Sequence, residues 1–62
     1  MSAYYETVSS ASTARDVVNV LVTRSQWFSF EPLPNEHYEI GVKVENRSML
    51  QELTSLYEKR AS

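Results

Sequence analysis

Trp27-Phe28-Ser29-Phe30-Glu31-Pro32-Leu33-Pro34-Asn35-Glu36-His37-Tyr38-Glu39-Ile40-Gly41-Val42-Lys43-Val44-Glu45 is the stretch that decides the fold. From His37 to Glu45 the alternation is strict: Tyr38, Ile40, Val42 and Val44 take one side, and His37, Glu39, Gly41, Lys43 and Glu45 take the other. A period of two over that length is the pattern of a half-buried strand. Residues 27–33 alternate as well, with Phe28 and Phe30 opposed to Trp27, Ser29 and Glu31. Pro32 and Pro34 frame a turn around Asn35-Glu36, since proline is a poor member of a central ladder. The prediction is an antiparallel hairpin, 27–33 with 37–45, that keeps one face wet.

Downstream, Asn46 is a suitable N-cap, and Met49, Leu50, Leu53, Leu56 and Tyr57 recur at spacings of three and four. With Lys59 and Arg60 where a helix C-terminus favours positive charge, this predicts a helix over 47–60. Upstream, Ala14, Val17, Val18, Leu21 and Val22 share one side of a helix over 12–25, capped by Ser12 or Thr13. The run Asp16–Thr23 is heavily β-branched, which costs rotamer freedom in a helix, so a buried strand is the rival reading there. Residues 3–8 have the composition of an edge strand within a 1–11 strand-and-loop segment.

The fold class expected is α+β, a single two-layer domain over 1–62 of the form (β)αββα, with two helices covering one face of the hairpin. Its core would be Val17, Val18, Leu21, Phe28, Phe30, Tyr38, Ile40, Val42, Val44, Leu50, Leu53 and Leu56. In element order alone this resembles a ferredoxin-like unit that stops before its last strand. Such a sheet has an open edge, and a chain of 62 residues has a thin core, so a homodimer is expected over a monomer.

Composition narrows the function. Cysteine is absent and His37 is the one histidine, which excludes disulfides and thiolate sites and argues against zinc. No metal and no cofactor is expected. A net charge of −2 makes nucleic acid a minority partner. No apolar run approaches the ~20 residues that span a bilayer, and the N-terminus lacks the order of a signal peptide. A cytoplasmic setting without a membrane partner is expected. A single glycine leaves no phosphate-cradling loop, and no serine sits in a Gly-x-Ser-x-Gly turn. Glu31, Glu36, Glu39 and Glu45 read as an ordinary solvated face.

Trp27 is the informative exception, a large ring on the polar side of the hairpin. If Phe30 pairs with Tyr38, Trp27 faces Gly41 and covers bare backbone, and His37 faces Glu31. One pair further along, Trp27 faces Lys43 in a cation–π contact. Its functional reading is an aromatic anchor, with Tyr4 or Tyr5 nearby, for a protein partner. The function expected is therefore a non-enzymatic protein–protein interaction module: an accessory subunit, adaptor or inhibitor. It presents Trp27, Ser29, Glu31, His37, Glu39 and Lys43 and a sheet edge to a larger protein. The alternative is a dimeric nucleic-acid-binding regulator using Arg24, Lys43, Arg47 and Arg60.

Overall fold

The computed structural model describes residues 2–61. Along them run β1 (Ala3–Val8), α1 (Ala11–Thr23), β2 (Phe28–Leu33), β3 (His37–Lys43) and α2 (Arg47–Ala61). The sheet order is β1-β3-β2, with β3 antiparallel to both neighbours. β1 and β2 are thus parallel, linked through α1, with β3 inserted between them as in a split βαβ unit. The fold is a small α+β domain, and the segment 3–8 is a strand within it.

The hairpin turn sets the register. Leu33 pairs with His37, and the His37 N–H donates to the Pro34 carbonyl. Asn35 (φ 62°, ψ 34°) and Glu36 (φ 60°) are both left-handed within the three-residue connection Pro34–Glu36. Asparagine tolerates this region, but glutamate is strained there by about 1 kcal/mol or more. Glu36→Gly relieves that strain and is expected to raise Tm by roughly 2–6 °C, after the entropic cost of glycine is subtracted. A circular-dichroism melt with no upward shift would contradict this account of the turn.

Within Asp16–Thr23 the helix prevails over the rival strand because its apolar stripe has somewhere to go. Thr13, Ala14, Val17 and Leu21 are all buried on one side of α1, and packing of that kind outweighs a modest propensity deficit. The ends differ from expectation. Ser10, not Ser12 or Thr13, is the N-cap, its Oγ accepting from the Thr13 N–H at 3.2 Å. At the other end Gln26 N–H donates to the Leu21 carbonyl and Ser25 N–H to that of Val22, with Ser25 left-handed at φ 55°. That is a Schellman closure, and it stops the helix at Thr23 rather than Ser25.

The core is Val8, Ala14, Val17, Leu21, Ile40, Val42, Leu50 and Leu53. Val18, Phe28 and Tyr38 are partly buried against it, whereas Phe30, Val44 and Leu56 are about half exposed, contrary to the expectation that they lie inside. Two causes account for the difference. β3 ends at Lys43, so Val44 falls in the turn of 3-10 helix Val44–Asn46 that leads into α2. The two helices pack on each other and over β1 and β3, leaving the strip of sheet formed by β2 without a helix above it. Phe30 sits on that strip, stacked on Tyr38 with centroids 5.5 Å apart. No helix among the described residues is long and apolar enough to cross a membrane.

Candidate interaction face

Successive side chains of a strand point to opposite faces, and the pairings join odd residues to odd ones across all three strands. Ile40 and Val42 go to the helices, so the odd-numbered residues form the outer face. That face is built in rows. Tyr5, Gly41 and Ser29 make one row, and Thr7, Glu39 and Glu31 the next. Ala3 and Lys43 make a third, which Trp27 extends just beyond the start of β2; His37 and Leu33 close the far end beside the turn. Of the expected set, Ser29, Glu31, His37, Glu39 and Lys43 are therefore brought onto one surface, and Trp27 adjoins it as the residue before β2. Trp27 is 47% exposed there and Tyr5 52%.

Gly41 is the centre of the face. A Cβ added to it would come within 2.4 Å of Ser29 Oγ and 2.6 Å of Tyr5 Cε1, so the Tyr5 ring lies directly on the glycine backbone. The cover supposed for Trp27 is thus supplied by Tyr5 from the opposite neighbouring strand. Gly41→Ala must turn the Tyr5 ring and the Ser29 hydroxyl aside. Both are mobile side chains, so the expected result is a displaced Tyr5 with a stability loss of about 1 kcal/mol or less. Loss of close contacts from the Tyr5 ring protons to Gly41 in NMR would register it, and unchanged contacts would contradict it.

The pairing sum that puts Phe30 opposite Ile40 puts Glu31 opposite Glu39, not opposite His37. Like charges directly across an antiparallel pair repel. Among the described residues neither carboxylate has a hydrogen bond or ion pair to offset this. His37 turns to its own loop, its Nδ1 lying 2.9 Å from the Asn35 carbonyl oxygen. Trp27 is in line with Lys43, yet the cation–π contact among the described residues is Arg60 over Tyr57, at 5.8 Å.

Tyr4 is not part of the outer face. Its hydroxyl donates to the Glu6 carboxylate and accepts from Gln51 Nε2 at 3.0 Å, tying β1 to α2 on the helix side. Also on that side, the uncovered strip over β2 is a groove of about 430 Å³ lined by Ala11, Ala14, Arg15, Val18, Phe30 and Tyr38 among others. The cations of the alternative reading are divided between the layers. Lys43 belongs to the outer face, Arg47 starts α2, and Arg24 and Arg60 lie beside Tyr57 in the helical layer, where Asp16 lines a second, separate depression with Arg24 and Tyr57. Among the described residues no three His, Asp or Glu side chains converge as metal ligands would. No family model matches the chain, and no curated protein or solved structure does either.

Proposed function

We propose that this chain is a small non-enzymatic interaction module whose outer sheet face binds a larger protein. One observation carries the reading: Tyr5 and Trp27, each about half exposed, flank β3 on a face that no element among the described residues covers. Aromatic rings held rigidly by a sheet contribute large contact area at small entropic cost, which is why they anchor interfaces. Ser29, Glu31, His37, Glu39 and Lys43 surround them as the polar rim that such interfaces have. The test is partner affinity of Trp27→Ala, measured beside its circular-dichroism spectrum. A variant that keeps its fold and binds its partner undiminished would dispose of the reading.

Self-association is part of the same proposal. β1 is a free edge without proline or lysine, so two copies can pair through it into one longer sheet while both outer faces stay open. Light scattering at twice the monomer mass is the expected reading, and a monomer at high concentration would remove this part alone. A cytoplasmic setting fits a chain without cysteine. The nucleic-acid alternative draws less support, because Lys43 and the Arg24–Arg60 pair lie on different layers and Glu31 and Glu39 stand beside Lys43's face.

A further inference from the structure

The outer face has a chemical preference that the interaction reading alone does not specify. Glu31 and Glu39 face each other across β2 and β3, and among the described residues neither has a cationic or hydrogen-bonding partner. Lys43 is four residues along β3 from Glu39, about 13 Å away at strand spacing, too far to neutralise the pair. Opposite charges directly across a strand pair stabilise a sheet, and like charges there destabilise it. Here the local rule is broken on the same face that exposes Tyr5 and Trp27, and breaches of that kind concentrate where a surface is used.

We propose that the occupant of this face is an extended protein segment bearing an arginine or lysine, which settles over Glu31 and Glu39. The proposal rests on the interaction reading above and adds the charge of the partner to it. An arginine fits best, since one planar guanidinium can donate to two carboxylates at once. The neighbouring row, with the Tyr5 ring on Gly41, lies two residues along the strand, about 7 Å away. A partner residue two places from the cation in an extended segment falls over that ring, so the motif sought is a cation and an apolar or aromatic residue spaced i, i+2. Binding relieves the repulsion within the acidic pair, which the free protein retains. The same pair repels phosphate, so the charge complementarity selects a basic peptide over a nucleic acid.

Three short acetylated and amidated peptides test this, identical except that one position, two places from a tyrosine, carries arginine, glutamine or glutamate. Each is titrated into the isotope-labelled full-length protein and followed by amide and indole NMR shifts. The expected result is that the arginine peptide shifts Glu31, Glu39, Gly41 and the Trp27 indole, and that the glutamate peptide shifts none of them. The double variant Glu31→Gln, Glu39→Gln should weaken the arginine peptide at least about tenfold, whereas Glu52→Gln on α2 should leave it unchanged. Equal shifts of the outer face by all three peptides would overturn the charge preference and leave the docking surface standing. Shifts confined to the helical layer, or none with any peptide, would overturn both.

Discussion

Leu21→Ala is expected to remove about half of the folding free energy of this domain. Leu21 is completely buried, is among the largest side chains that are, and lies where α1 meets the sheet and α2. Truncating a buried leucine costs about 2–5 kcal/mol, from lost transfer free energy plus the cavity left behind. A domain of this length has roughly 3–9 kcal/mol in total, so this loss is a large share of the whole. The neighbouring Val22 provides the contrast. At 58% exposed it has little packing to lose, and Val22→Ala should stay within about 0.5 kcal/mol. Urea unfolding followed by circular dichroism separates the two. Equal midpoints for both variants would mean that the packing of α1 is not as described.

The double variant Tyr5→Ala, Trp27→Ala is expected to have the opposite profile, folded but unable to hold its partner. Each anchor at the centre of an interface is typically worth 2 kcal/mol or more on truncation, which is roughly a 30-fold loss of affinity per residue. The fold should survive because neither Tyr5 nor Trp27 belongs to the core, and the Tyr5 ring lies on the outer face over Gly41. Phe30→Ala is the control. Phe30 is exposed to almost the same degree, 46%, but on the helix side over β2. If Phe30→Ala abolishes binding while the double variant retains it, the interface lies in the groove between α1 and β2 and not on the outer face.

The faces of the sheet were legible from the chain, while its register was not, and the reason is physical. Sliding β2 along β3 by one pair moves every side chain by two positions, so each stays on its own face. Alternation therefore assigned Trp27, Ser29, Glu31, His37, Glu39 and Lys43 to one surface under either pairing. What decides between the pairings is the turn, and here its signature was masked: Asn35 and Glu36 are both left-handed without the glycine that usually announces such a conformation. The lateral position of the helices is similarly silent in the sequence. Helical spacing says that Leu50 and Leu53 face a sheet, but not that the helices centre on β1 and β3 and leave Phe30 uncovered. Tyr5 illustrates the same limit. Its place on the outer face follows from alternation in β1, but its position on Gly41 required knowing that β1 pairs with β3 in the middle of the sheet.

The most direct measurement of the central claim is position-specific photo-crosslinking in the native cell. A benzophenone amino acid is placed in turn at Tyr5, Trp27, Val22 and Leu56, all of which are about half exposed. The account predicts a covalent adduct with the same larger protein from Tyr5 and Trp27, and none from Val22 and Leu56 on the helices. Adducts from the two helical positions alone would contradict it.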